Sequence, residues 1–269
     1  MSHYPKSGTW QTCRACGRHV HQSQWGQWRQ CPYCQHWQRL TARQRLTQLV
    51  DPASFQPLPM PEQAHDALAF PGYQEKLTTA SHQSGADEAI IIGTAKIAKR
   101  PCVLAVMDSH FMMGTLNTVV SRRLQRACAV AQRRRLPLIV VTASGGARMQ
   151  EGLYALFGMN LILAAVARLA AAAVPLITVL TDPTMGGVSA SFAFKGDVIV
   201  AEAGAKIGFA GPRVIQQTMP AQLPADFQSA EQLWRHGMVD AVVARPDLRA
   251  YLQTVLASYA MGGNADAID

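Results

Sequence analysis

The chain has 269 residues, 49% of them hydrophobic and 16% charged, which gives ample material for a packed core and argues against a disordered chain. Its formal charge of +8 sits at one end: seven of the 25 Lys and Arg and none of the 17 Asp and Glu fall in residues 1–50, leaving 18 against 17 elsewhere. That asymmetry points to an anionic partner for the first fifth of the chain. The start MSHYPKSGTW has no apolar h-region, and the most apolar stretch, residues 161–180, is interrupted by Arg168 and Pro175. A signal peptide and a membrane span are therefore set aside, and a soluble, cytoplasmic protein is expected.

Residues 1–40 read as a small metal module. Cys13, Cys16, Cys31 and Cys34 form CxxC, a fourteen-residue spacer and a second CxxC. In a reducing compartment that spacing signals a four-cysteine zinc ribbon, with one structural Zn²⁺ closed by four protein thiolates. A disulfide scaffold is the alternative, and no secretion signal supports it. His19, His21 and His36 are supernumerary and read as surface residues. Trp10, Trp25, Trp28, Tyr33 and Trp37 interleave with the basic residues. They read first as the ribbon's core and docking face, and second as a platform for single-stranded nucleic acid such as RNA.

Residues 41–72 read as a helical and Pro-rich connector: LTARQRLTQLV has helical spacing, and Pro52, Pro57, Pro59, Pro61 and Pro71 follow. The main domain is assigned to residues 73–269. It opens with a hairpin of residues 89–95 and 102–107 around Lys99-Arg100-Pro101, then the segment FMMGTLN (111–117) and a basic helix over 119–135. Cys102 and Cys128 lie in apolar surroundings and read as inert core thiols. Two apolar runs, 137–141 and 175–180, each lead into a glycine pair and a helix start: TASGGARMQEG (142–152) and TDPTMGGVSAS (181–191). These describe two βα turns of one parallel sheet, with a buried Ala-rich helix between them. Short strands are expected at 197–201, 206–209 and 240–243, and helices near 213–217, 230–236 and 247–260. Glycine pairs at helix N-termini can aim two N–H donors at one oxygen, forming an oxyanion hole. A serine hydrolase is rejected, because GxSxG is absent and no histidine is placed beside Ser144.

The strings TASGGARMQEG, TDPTMGGVSAS and IGFAGPRVIQQT (207–218), with the TAR-x-R-L stretch before them, closely resemble the β subunit of bacterial acetyl-CoA carboxylase carboxyltransferase. The likeness runs from about residue 10 to about residue 259. It implies an α/β fold of the crotonase-like (ClpP/crotonase) kind behind the zinc ribbon. It also implies transfer of a carboxyl group from carboxybiotin to acetyl-CoA, giving malonyl-CoA for fatty-acid or polyketide-type biosynthesis. By resemblance Gly145, Gly146, Gly186 and Gly187 supply the oxyanion donors, and Met113, Gly114, Leu116, Asn117, Ala147, Arg148, Met185 and Arg213 contact substrate.

The implied partners are a carboxyltransferase α subunit in an α2β2 assembly, biotin carboxyl carrier protein and biotin carboxylase, with ATP consumed at the carboxylase step. The run Arg122, Arg123, Arg126, Arg133, Arg134 and Arg135 reads first as a solvated helix face, and second as a positive rim that would help dock the phosphates of CoA. FMMGTLN departs from the family's glycine-rich pattern at Met113, Leu116 and Asn117, bulk that is expected to border the acyl-CoA channel; neutral drift with compensating packing is one explanation, and a specialised, inhibitor-resistant copy is the sharper one. Two other readings are a carboxyltransferase for another acyl-CoA or in a decarboxylase complex, and a noncatalytic RNA-binding regulatory subunit.

Overall fold

The computed structural model describes residues 9–60, 64, 66–218 and 222–260. Two compact units are present, Met1–Leu40 and Thr41–Asp269. In the first, β1 (Trp10–Thr12) pairs antiparallel with β2 (His19–His21). The two CxxC turns repeat one pattern of backbone bonds: Gly17 N–H to Cys13 O (2.9 Å) and Cys13 N–H to Arg18 O (2.8 Å), then Gln35 N–H to Cys31 O (3.0 Å) and Cys31 N–H to His36 O (2.9 Å). Cys13, Val20, Trp25 and Cys31 are its buried core. So small a core cannot hold a fold without a further cross-link.

The larger unit begins at α1 (Ala42–Leu49), started by a capping box of Thr41 and Gln44. Then come β3 (Gln56–Pro57), α2 (Tyr73–Ser84), β4 (Ile90–Ile97), β5 (Arg100–Met107), α3 (Thr118–Arg134), β6 (Leu138–Ser144), α4 (Leu153–Ala171), β7 (Leu176–Met185) and α5 (Gly186–Ser189). The chain closes through β8 (Val198–Glu202), β9 (Ile207–Gly208), α6 (Pro212–Thr218), α7 (Ala230–Arg235), β10 (Ala241–Val243) and α8 (Leu248–Ala260). Strands lie in the order β10-β8-β7-β6-β5-β4-β3, with β9 also against β7. From β5 to β10 the neighbours run parallel, while β3, β4 and β5 are antiparallel.

Both faces of the sheet are covered, as a mostly parallel sheet requires. On one side α1 and α8 pack Leu46, Leu49, Leu252 and Leu256 against Ile139, Val141, Ile177 and Val179. On the other, α2, α3 and α4 bury Leu77, Leu124, Ile162 and Leu169 with Val140 and Leu180. The period-2 alternation of β6 and β7 divides these side chains between the two cores.

Three details differ from the expectations. The 41–72 stretch, read as a connector, supplies α1 and the edge strand β3 to the larger unit. The hairpin turns at Ala98-Lys99, both at positive φ (48° and 67°), and Arg100 and Pro101 belong to β5. Asp51 makes that turn possible, accepting Ala98 N–H (2.9 Å) and Lys99 N–H (2.7 Å) on its carboxylate. Burial works against its charge, but these bonds and the Arg249 guanidinium hold the carboxyl below its ordinary range. Finally, α4 is apolar apart from Asn160 and Arg168, yet buries only the stripe Ala155, Gly158, Ile162, Ala165 and Leu169. The expectation of a buried helix is corrected: Leu153, Tyr154, Leu156, Phe157 and Leu161 are exposed.

Candidate active site

Strands β6 and β7 are parallel neighbours with Ser144 opposite Thr184, so the two glycine turns leave the sheet side by side at its carboxyl edge. Buried hydroxyls lock the pair of strands: Thr142 Oγ1 lies 2.7 Å from Thr184 Oγ1, and Thr181 Oγ1 donates to Thr142 O at 2.6 Å. The turns face each other closely. A Cβ on Gly186 would stand 3.0 Å from Gly146 Cα, and both glycines adopt positive φ (+58° and +121°), which a side chain would strain.

FMMGTLN lies along the first turn as a third strand-like piece. Leu116 N–H donates to Gly146 O, and Arg148 N–H donates back to Leu116 O, each at 2.8 Å. Of the four glycine N–H groups expected as donors, three are engaged within the protein. Gly145 donates to Met113 O (2.8 Å), Gly186 to Phe209 O (3.0 Å) and Gly146 to Ser144 Oγ (3.1 Å). Among the described residues, no acceptor takes the N–H of Gly187 or of Ala147. Gly187 is the second residue of α5, where a helix leaves its N–H unpaired. A Cβ on Gly187 would stand 3.7 Å from the Ala147 Cβ, so these two residues are neighbours across the site. The sequence located the turns but not which amides they leave open; that requires hydrogen-bond accounting in three dimensions.

The other expected site residues fall into separate groups. Met113 is half exposed, with its Cβ 3.5 Å from where a Gly145 Cβ would stand, and Met185 is partly buried at the end of β7. Gly114 is buried, with its backbone against Ala143. Leu116 and Asn117 are both 0% exposed, so of the three departures only Met113 reaches the surface. Arg213 lies in α6, and its side chain is outside the described residues.

Arg148 was expected at substrate but is only 1% exposed. Its guanidinium grips Glu88 through Nη2–Oε1 (2.6 Å) and Nη1–Oε2 (3.1 Å). A closed ring continues from there: Asn117 Nδ2 donates to Glu88 Oε2 (2.8 Å) and Glu151 Oε1 (3.1 Å), and Tyr73 Oη donates to Glu151 Oε1 (2.8 Å) while accepting from Arg148 Nη1 (3.2 Å). Burial opposes the Arg148 charge, but Glu88 outweighs it and raises the guanidinium pKa above its usual value. Burial likewise pushes the Tyr73 phenol up to about 12, keeping it a neutral donor. The ring ties α2, the start of β4, the Asn117 cap of α3 and the Arg148–Glu151 turn into one support beneath Ala147. Arg148 and Asn117 both spend their side chains inside this ring. Sequence spacing gave no signal for Glu88 or Tyr73.

The ribbon gathers its four thiols as the spacing requires. All four Sγ atoms lie within 4.8 Å of one another, with Cys13–Cys34 at 3.6 Å and Cys16–Cys31 at 3.9 Å. Thiolates at the corners of a tetrahedron with Zn–S bonds of about 2.3 Å are separated by roughly 3.8 Å, so this donor set fits a closed zinc site. Within this cluster the thiols share protons. Burial raises Cys31, but the N–H groups of Cys34 and Tyr33 outweigh it and draw that thiol down. The His36 N–H lowers Cys34, but burial and the neighbouring thiols prevail and push it up.

Residues 36–256 match the carboxyl transferase domain family. Two Lactiplantibacillus plantarum proteins, each named acetyl-coenzyme A carboxylase carboxyl transferase subunit beta 1, are 69% identical over 265 residues, covering 98% of this chain and 99% of theirs. The subunit beta of Desulforudis audaxviator is 51% identical over 232 residues, covering 86% of this chain and 84% of that one. Among solved structures, a transcarboxylase 12S hexamer with hydrolysed methylmalonyl-coenzyme A bound superposes with a TM-score of 0.69 at 26% identity. That alignment covers 82% of this chain and 41% of the transcarboxylase chain, so this chain spans about two fifths of it. A Pseudomonas malonate decarboxylase hetero-dimer shares the fold, with a TM-score of 0.62 at 24% identity over 84% of this chain and 88% of that one.

Proposed function

This chain belongs to the carboxyl transferase domain family, among the β subunits of acetyl-CoA carboxylase carboxyl transferase, and on that footing we propose how its two glycine turns act. It is a carboxyltransferase acting on acetyl-CoA. Loss of a proton from the acetyl methyl group places negative charge on the thioester oxygen. The N–H groups of Gly187 and Ala147 receive that oxygen, and a preorganised donor of this kind contributes about 3–4 kcal/mol to the transition state. Carboxybiotin would supply the carboxyl group and, as its C–N bond breaks, the ureido nitrogen that accepts the methyl proton; the enolate carbon then bonds to the released carboxyl carbon and malonyl-CoA leaves. The single observation carrying this reading is that, among the described residues, two adjacent turns leave these two amides without an internal acceptor.

The remaining half of the site, which holds carboxybiotin, is assigned to an α subunit. The exposed apolar face of α4 supports that assignment. It starts two residues after the first glycine turn's buried Glu151 and presents Leu153, at 79% exposure, and Phe157, at 61%. An apolar patch of this kind beside a site fits a partner interface. In the ribbon, Arg18 stacks on Tyr33 (4.9 Å) and Arg29 on Trp25 (5.8 Å). These internal contacts favour a structural role for its aromatics over RNA binding.

The test is carboxyl transfer from malonyl-CoA to biocytin, with and without an α subunit, by the wild type and by Gly187→Pro. Proline removes this one N–H, but its Cβ would also press on Met159 Sδ, 2.7 Å away, so Gly187→Ala, which adds the Cβ and keeps the N–H, serves as the steric control. Turnover should require both subunits, and the proline variant should lose roughly 10²–10³-fold in kcat. Wild-type kcat in the proline variant would remove Gly187 from the oxyanion site.

A further inference from the structure

The N-terminus of α5 is suspended from the turn that follows β9. Ile207 and Gly208 pair with Thr184 and Met185, and Phe209 O takes the Gly186 N–H at 3.0 Å. Ser189 Oγ donates to Gly208 O at 2.7 Å and lies 2.9 Å from Gly186 O, so both ends of the short helix lean on the 208–209 backbone. The orientation of the peptide entering Gly187 therefore depends on where residues 208–210 stand.

One side chain fixes them. Gln228 Nε2 donates to Ala210 O at 2.7 Å, and Gln228 O accepts Ile207 N–H at 2.8 Å. The side chain crosses Gly208 so closely that a Cβ on that glycine would stand 2.2 Å from Nε2. Gln228 is only 9% exposed and sits at φ +58°, a left-handed conformation that a residue with a side chain rarely adopts unless its surroundings impose it. Its own N–H is held by Gln232 Oε1 at 2.7 Å. Its Oε1 is buried without a hydrogen-bond partner, so the amide contributes here through its donor edge.

We propose that Gln228 is a positioning residue for carboxyl transfer: by holding the Gly208–Ala210 turn it keeps Phe209 O on the Gly186 N–H, which leaves the Gly187 N–H aimed at the reacting oxygen. Gln228 touches neither substrate nor the reacting atoms. It rests on the reading of Gly187 as an oxyanion donor, and it adds a residue that lies 41 positions downstream of Gly187.

The experiment compares Gln228→Leu and Gln228→Glu in the assembled α/β enzyme with the wild type and Gly187→Pro, using malonyl-CoA and biocytin. Both Gln228 variants keep the side chain's approximate size and remove the donor to Ala210 O. Each should lower kcat roughly tenfold while KM for malonyl-CoA stays within about twofold, because misplacing a donor affects the transition state more than ground-state binding. Wild-type kcat in both, or a raised KM with unchanged kcat, overturns the proposal. If Gly187→Pro is impaired while the Gln228 variants are not, only this inference fails. If Gly187→Pro is itself unimpaired, the oxyanion reading fails first.

Discussion

At Gly114 the backbone leaves no space for a side chain: a Cβ would stand 1.9 Å from Ala143 O, and φ is +67°. The residue sits where FMMGTLN crosses the end of β6, so any added atom pushes apart the two segments that hold Gly145 and Gly146. Gly114→Ala should cost on the order of 3 kcal/mol from overpacking and left-handed strain together. It should also reduce carboxyl transfer, because the first turn moves with the displaced segment. Thermal unfolding and the biocytin assay check both effects, and wild-type values in either would contradict the close approach. The neighbouring departures have different consequences. Asn117 caps α3, accepting Val120 N–H at 2.8 Å, while its amide separates two buried carboxylates. Leu116 fills core, and Met113 alone is left to alter the opening.

At the scale of elements, α4 carries both halves of the protein's role. Its buried stripe packs on α3 and the sheet, and its outward face remains apolar over its first two turns. By length and composition it could span a bilayer, but Ile162, Ala165 and Leu169 lie in the core. Charge on the outward face should therefore spare folding and impair assembly. The double variant Leu153→Lys/Phe157→Lys should weaken association with an α subunit by about 2 kcal/mol or more, the loss expected for central apolar anchors. Sedimentation or calorimetry of the α/β mixture reads this directly. Unchanged affinity would place the α subunit on another face.

Across the larger unit, a buried triad joins elements from opposite ends of the chain. Glu202, at the end of β8, receives Arg45 Nη1 of α1 at 2.5 Å and Arg245 Nη2 at 2.6 Å. Burial alone would raise its carboxyl, but the two guanidinium groups outweigh this and hold it down at about 2 from the usual 4.5. Because the folded-state pKa is depressed, the ion cluster contributes its full stability above pH 4.5 and loses it as the pH falls through about 2. The melting temperature should decline over that window. Glu202→Gln should lower stability at neutral pH, by leaving two buried arginines uncompensated, and flatten the acid decline. An unchanged acid profile in that variant would show that other carboxylates carry it.

Local chemistry and periodicity were enough to mark the cysteine module, both βα turns, the hairpin and the basic helix. Each depends on residues within a few positions: CxxC knuckles, glycine pairs after β-branched runs, apolar spacing along α3. The motif strings also placed the chain in its family before any contact was known. Tertiary structure decided what depends on partners distant in sequence. Asp51 bonds a turn 47 residues away, which moved the hairpin reversal to Ala98-Lys99. Glu88 pairs with Arg148 across 60 residues, a partner that no local pattern announces. Most of all, an amide becomes an available donor only when every nearby acceptor has been assigned. Phe209, Met113 and Ser144 take three of the four glycine N–H groups, and packing alone left Gly187 and Ala147 open.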